Sequence, residues 1–261
     1  MTKLMGVVNV TPDSFSDGGL YLDPEAAIAH GRELAAAGAE ILDVGGESTR
    51  PGAEAVPQDE ELRRVIPVIE GLVATDGQVS VDTSKAAVAA AAIDAGAEIV
   101  NDVTALRGDP EMAALCAGRG ATVVLMHMRG EPRTMQEDPR YEDVVAEVKA
   151  FLAERLEAAI AAGIDEEHVW LDPGIGFGKT AAHNLELLRR FGELRDLGRP
   201  LVVGTSRKSF IGRLDGSAAD ERLGGTIASS VLAAAEGAAV LRVHDVAEVR
   251  QGLAVATAIL G

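Results

Sequence analysis

Only one cysteine, Cys116, occurs in the 261 residues, so no internal disulfide can form and the chain suits a reducing compartment. Its plain reading is a small buried apolar residue on a helix. Aromatic residues are scarce as well: one Trp, two Tyr and five Phe. A core without them must be filled by Val, Ile, Leu and Ala, the mixture that fills barrel interiors. Basic residues are outnumbered, 24 Lys and Arg against 41 Asp and Glu, for a net charge of −17. That field repels nucleic acid and anionic membranes and argues against both as partners. It also opposes an anionic ligand unless basic side chains are gathered at the site. There is no long hydrophobic run. The first apolar stretch, Leu4 to Val10, is far shorter than a membrane span and lacks a signal-peptide layout, so a cytoplasmic protein is expected. No Cys or His cluster has zinc spacing, and no Ser-His-Asp arrangement is legible.

What is present is a repeat. Short apolar segments at Leu4–Val10, Glu40–Gly45, Val79–Asp82, Glu98–Asp102, Thr122–Met126, Val169–Asp172, Leu201–Gly204 and Val240–Val243 read as strands. They are continuous rather than alternating, as expected of parallel strands covered on both faces. Alanine-rich amphipathic stretches follow at about 24–37, 58–73, 85–95, 109–118, 140–162, 180–190, 218–236 and 246–259. Asp23-Pro24 and Asp109-Pro110 carry helix-start signals, and Gly38, Gly96, Gly120, Gly163 and Gly198 fall where left-handed caps end helices. Alternating strand and helix demand a parallel sheet with right-handed crossovers. No Gly-x-Gly-x-x-Gly loop follows an early strand, which favours a closed (β/α)8 TIM barrel over an open doubly wound sheet. No linker or low-complexity tract interrupts the chain, so a single domain over 1–261 is expected, with no function attached to the connection Ile211 to Arg222.

In a barrel the strand C-termini and the loops after them build the site. Here every strand ends in polar chemistry: Asn9, Asp43, Asp82, Asn101-Asp102, Met126-His127, Asp172, Ser206-Arg207-Lys208-Ser209 and Arg242-Val243-His244-Asp245. Each has a plain alternative. Asp82, Asn101 or Asp172 can cap the next helix, Arg50 can be a solvated loop charge, and His127 a satisfied buried histidine. Convergence of all eight strands on one rim is harder to explain by capping. Asp82, Asn101 and Asp172 suit a flat nitrogen heterocycle rich in N–H donors. Lys208, Arg242 and His244, at the end where barrels often hold phosphate, suit phosphate or a ring carbonyl.

With these residues assembled, the chain resembles the dihydropteroate synthases from about Leu4 to Leu260. The likeness rests on Met5-Gly-Val-Val-Asn-Val-Thr-Pro-Asp-Ser-Phe-Ser-Asp-Gly-Gly, Asp43-Val-Gly-Gly-Glu-Ser-Thr-Arg-Pro-Gly, Ser80-Val-Asp-Thr, Asn101-Asp-Val, Leu125-Met-His-Met, Asp172-Pro-Gly-Ile-Gly-Phe-Gly-Lys, Ser206-Arg-Lys-Ser and Arg242-Val-His-Asp. The resemblance implies a transferase of folate biosynthesis and target of sulfonamides. Its members condense 6-hydroxymethyl-7,8-dihydropterin diphosphate with p-aminobenzoate to 7,8-dihydropteroate, releasing diphosphate. It implies that Asp172, Asn101, Asp82 and Lys208 bond the pterin edge and that Met126 and Arg242 sandwich its faces. Asn9, His244 and Arg242 would hold the diphosphate, Asn9 would touch Mg²⁺, and Thr49 would meet substrate. Phe15, Thr49, Arg50, Pro51, Phe177 and Ser209 would form the p-aminobenzoate pocket. Asp82, Lys208, Arg242 and His244 are the residues expected to carry the chemistry. A homodimer is also implied, and the alanine-rich stretches Thr226–Gly237 and Val246–Leu260 are candidates for its contact, with ordinary barrel packing as their plain alternative. A pterin-dependent methyltransferase would need neither the Ser-Thr-Arg-Pro-Gly loop nor a diphosphate clamp, and the intact motifs argue against a pterin-binding paralogue without activity.

Overall fold

The computed structural model describes residues 2–11, 23–49, 53–130 and 134–260. Eight parallel strands, β1 (Lys3–Asn9), β2 (Ile41–Gly45), β3 (Gln78–Asp82), β4 (Ile99–Asp102), β5 (Thr122–Met126), β6 (Val169–Asp172), β7 (Val202–Val203) and β8 (Val240–Val243), lie in the order 6-5-4-3-2-1-8-7. A parallel bridge between Leu171 and Leu201 brings β6 to β7, so the sheet curls into a nearly closed barrel.

Period-two alternation divides each strand between two environments. Met5, Ile41, Ile99, Val124, Val202 and Val240 form one buried cluster with Trp170, which plugs the barrel. Their neighbours, among them Leu4, Leu42, Val81, Val100, Val123 and Leu241, pack outward with the helices in the main core. Two residues further along the inward face the apolar layer gives way to Asp43, Ser80, Asn101 and Arg242, and then to Asn9, Asp82 and Asp172. The strands are therefore not apolar throughout. Their inward positions turn polar at the C-terminal end.

The helices are α1 (Pro24–Ala37), α2 (Gln58–Leu72), α3 (Ala86–Asp94), α4 (Met112–Arg119), α5 (Val144–Ala161), α6 (Ala181–Arg189), α7 (Ser209–Asp215), α8 (Leu223–Ala235) and α9 (Val246–Leu260). Asp23 accepts from Glu25 N at 3.2 Å, with Pro24 in the first turn of α1. All five predicted capping glycines take left-handed backbones. The Asp109-Pro110 expectation needs correcting. Helix α4 starts only at Met112, after a turn in which Asp109 Oδ1 accepts from Glu111 N at 3.0 Å, while its Oδ2 accepts from Ala86 N at 2.9 Å and caps α3 as well. Helices α5 and α8 likewise begin later than expected, at Val144 and Leu223. The connection after β7 contains the unpredicted α7 and a 3-10 turn, Ala219–Glu221. Cys116 is buried, and burial pushes its thiol up to about 12, leaving it inert. No helix among the described residues is long and apolar enough to cross a membrane.

Candidate active site

The polar layer above the barrel plug is built around two carboxylates and one guanidinium. Arg242, from β8, donates Nε to Asp43 Oδ2 at 2.6 Å and Nη2 to Asp82 Oδ2 at 2.8 Å. Ser80 Oγ donates to Asp43 Oδ1 at 2.6 Å, and Asn101 Nδ2 donates to Asp43 Oδ2 at 3.1 Å. Two buried acids share one cation, so burial, reinforced by Asp43, pushes the Asp82 carboxyl up to about 7 despite Arg242. Burial disfavours the charge on Arg242, but Asp43 and Asp82 more than offset it and hold the group cationic.

The loop after β6 is braced from within. Asp172 Oδ1 accepts from Gly174 N at 2.7 Å, and burial raises its carboxyl against the pull of that N–H and of Lys208. Gly174 has φ +66°, and a Cβ there would fall 2.0 Å from the His127 carbonyl oxygen, so no other residue fits the turn. Buried Lys179 bonds His127 Nδ1 at 2.8 Å, Gly174 O at 2.9 Å and Phe177 O at 3.0 Å. Burial lowers the Lys179 amine well below its usual range. It also drives the His127 imidazole down to about 2, with the Lys179 charge adding to the effect. His127 is thus a neutral support within the loop, in line with its plain reading. Asn184 Oδ1 accepts from Gly176 N at 2.7 Å and fixes the far side.

At the β7–β8 end, Lys208 Nζ lies 4.2 Å from the centre of the Phe177 ring, a cation–π contact linking two loops. Ser206 Oγ meets His244 Nδ1 at 2.9 Å and accepts from His244 N at 3.2 Å, fixing that imidazole. The backbone bends through Arg207 at φ +56°, a conformation held by the Arg207–Asp245 ion pair and by Thr226 Oγ1 accepting Arg207 N at 3.0 Å.

These elements enclose an inner cavity lined by Thr49, Asp82, Asn101, Met126, Asp172, Phe177, Lys208, Arg242 and His244. Nine of the predicted site residues thus meet at one place. Asn9 and Ser209 line the wider cleft above it, of about 980 Å³, which shares Thr49, Phe177 and Lys208 with the inner cavity. Phe15, Arg50 and Pro51 lie outside the described residues. Among the described residues, the side-chain hydrogen bonds of Asp82 and Asn101 run to other strands rather than to a following helix, and Asp172 caps its own loop. Asp43, Ser80, Ser206 and Lys179 stood in the quoted motifs without a role. The signal for Asp43 and Ser80 is their inward register, two residues before Gly45 and Asp82.

The family model described as pterin binding enzyme matches residues 5–244. The chain belongs to the pterin-binding enzymes, in their dihydropteroate synthase branch. It is 48% identical over 258 residues to the dihydropteroate synthase of Escherichia coli (strain K12), covering 98% of this chain and 91% of the relative. The Synechocystis enzyme of the same name is 46% identical, over 99% and 90%. Among solved structures, Yersinia pestis dihydropteroate synthase in a sulfonamide drug complex superposes with a TM-score of 0.96 at 44% identity, over 99% of this chain and 94% of that one. The Xanthomonas albilineans enzyme in complex with 7,8-dihydropteroate gives a TM-score of 0.89 at 50% identity, over 100% and 94%.

Proposed function

We propose that the chain condenses 6-hydroxymethyl-7,8-dihydropterin diphosphate with p-aminobenzoate to give 7,8-dihydropteroate and diphosphate. The observation that carries this reading is the inner cavity. It combines acceptors for a flat N–H-rich ring (Asp82, Asn101, Asp172) with cationic and imidazole groups (Lys208, Arg242, His244) in one enclosure. An acidic chain that gathers basic groups there overcomes the repulsion its net charge of −17 sets against an anion.

In this reading Asp172 accepts from the pterin amino group and N3–H, Lys208 bonds the ring carbonyl, and Met126 and Arg242 cover the ring faces. The bond from the pterin methylene to the diphosphate oxygen breaks first, and the bond to the arylamine nitrogen then forms. The nitrogen gives up one proton, and diphosphate leaves with the bonding pair. Asp82, one of the two acids shared by Arg242, stabilises the positive charge left on the pterin. His244, fixed by Ser206, and Arg242 receive the diphosphate. The amine is neutral near pH 7, so the site needs no dedicated base. Thr49, Phe177 and Ser209, which line the cleft, serve the p-aminobenzoate subsite, where sulfonamides would compete.

The residues present fit Mg²⁺. Asn9 Oδ1 and Asp82 Oδ2 flank Gly45, each 3.8 Å from where a Cβ there would stand, so two hard oxygens face the same glycine, the second also accepting from Arg242. Among the described residues no cluster of three or more acids, His or Cys could hold a metal. An ion held by few protein oxygens would share its coordination with a substrate phosphate. Asn9 would hold it, and its chemistry there would be to neutralise charge on the leaving diphosphate.

The same reading takes the protein to be cytoplasmic and dimeric. Helices α8 and α9 pack together and expose Leu232, Val255, Ile259 and Leu260, apolar side chains suited to a second copy. The direct test of the reaction is mass-spectrometric detection of dihydropteroate from the two substrates. A protein that binds pterin yet yields no product would refute the catalytic reading.

A further inference from the structure

Asp43 sits in mid-β2 with no solvent exposure, beneath the cavity rather than in its wall. Three donors converge on its carboxylate: Ser80 Oγ at 2.6 Å, Arg242 Nε at 2.6 Å and Asn101 Nδ2 at 3.1 Å. A carboxylate has only acceptors to offer, so the Asn101 amide must turn its nitrogen to Asp43. Its carbonyl oxygen, Oδ1, is then the atom left for the cavity that Asn101 lines, and among the described residues no hydrogen bond to it is found. Asn101 is 6% exposed and lines the cavity, so a ligand N–H meets an acceptor there whose orientation is already set. Asp43 also takes Nε of Arg242 and so orients the Nη2 that reaches Asp82.

We infer that Asp43 is a positioning residue that sets the specificity of the inner cavity. By holding Asn101 through its amide nitrogen it makes the site demand a ring N–H, and so favours a 7,8-dihydropterin over the fully oxidised pterin. The two rings differ in this respect at N8, which carries hydrogen in the dihydro form and only a lone pair in the oxidised one. Against Asn101 Oδ1 the first is a donor meeting an acceptor, and the second is two acceptors facing each other. Arg242 and Ser80 leave Asp43 no freedom to release the amide. The identity of the ring rests on the proposed function above.

The test is calorimetric binding of 6-hydroxymethyl-7,8-dihydropterin, kept anaerobic, and of oxidised 6-hydroxymethylpterin. Both lack the diphosphate, so the cationic groups do not mask the ring contacts. The unaltered protein is expected to prefer the dihydro form by about tenfold, the scale of one buried hydrogen bond made against one refused. Asp43→Asn, whose amide can donate and so lets Asn101 turn over, should bring that ratio close to one. Ser80→Ala, which loosens Asp43 without touching a charge, should give a smaller change in the same direction, and it decides the matter if Asp43→Asn does not fold. An unchanged ratio in the variant, with both ligands weakened in parallel, would reduce Asp43 to a structural role and overturn the inference. So would equal binding of both pterins by the unaltered protein. Binding of neither would instead overturn the pterin reading itself, and the inference with it.

Discussion

Arg242 Nη2 stands 2.8 Å from Asp82 Oδ2 and joins the last strand of the barrel to the third across its mouth. That pair has a pH signature. The Asp82 carboxyl, raised to about 7 from an ordinary 3.8, is protonated over part of the range in which free aspartate is ionised. If the carboxylate is the working form, kcat falls as pH drops below about 7, and Asp82→Asn lowers kcat and abolishes that limb. The stability sign follows from linkage. Between 3.8 and about 7 the folded state binds more protons at this site than the unfolded chain. The Asp82 contribution therefore declines as pH rises through that window, by up to about 1.4 kcal/mol per pH unit. Urea unfolding of the unaltered protein and of Asp82→Asn at pH 4.5 and pH 8 measures the difference, and the variant should gain relative stability at the higher pH.

His127 should behave in the opposite sense. With its imidazole lowered to about 2, it stays neutral when folded but takes a proton near 6.5 when unfolded. Its contribution is complete above 6.5 and is lost as pH falls below that value. NMR titration should show no His127 transition between pH 5 and 9, and a midpoint near 6.5 would contradict the burial argument.

Much of this was legible beforehand. Asp82, Asn101, Asp172, Lys208, Arg242 and His244 each close or follow an apolar run, and strand ends in a parallel barrel must converge. The network beneath them was less legible, because Asp43 and Ser80 look like interruptions of an apolar strand until the inward register is known. Lys179 was hidden for another reason. Its partners are the carbonyls of Gly174 and Phe177 and a ring nitrogen, none of which leaves a mark in residue type. Helix α7 was missed because its seven residues are too few to show a period.

Replacing Gly174 with Ala should cost about 3 kcal/mol, on the order of 10 °C in Tm for a chain of this size. The new Cβ meets backbone rather than a movable side chain. Calorimetry checks this, and a Tm within a degree or two of the unaltered protein would mean that the turn relaxes freely.

Lys208→Ala removes both the cation facing the proposed ring carbonyl and the contact with Phe177. Loss of one charge-assisted hydrogen bond should raise KM for the pterin diphosphate about 10- to 100-fold. An effect on KM for p-aminobenzoate alone would move Lys208 to the other subsite.

Leu232→Glu combined with Ile259→Glu places charge on the exposed apolar faces of α8 and α9. Sedimentation velocity should find the unaltered chain dimeric and this variant monomeric. A monomer in both would refute the dimer.

The most direct measurement is diphosphate release by the purified protein given the pterin diphosphate and Mg²⁺, with and without p-aminobenzoate. The expected result is release that depends on p-aminobenzoate, matches dihydropteroate formed mole for mole, and at limiting pterin diphosphate falls steeply in Lys208→Ala. Release that ignores p-aminobenzoate, or tight pterin binding with no release at all, would contradict it.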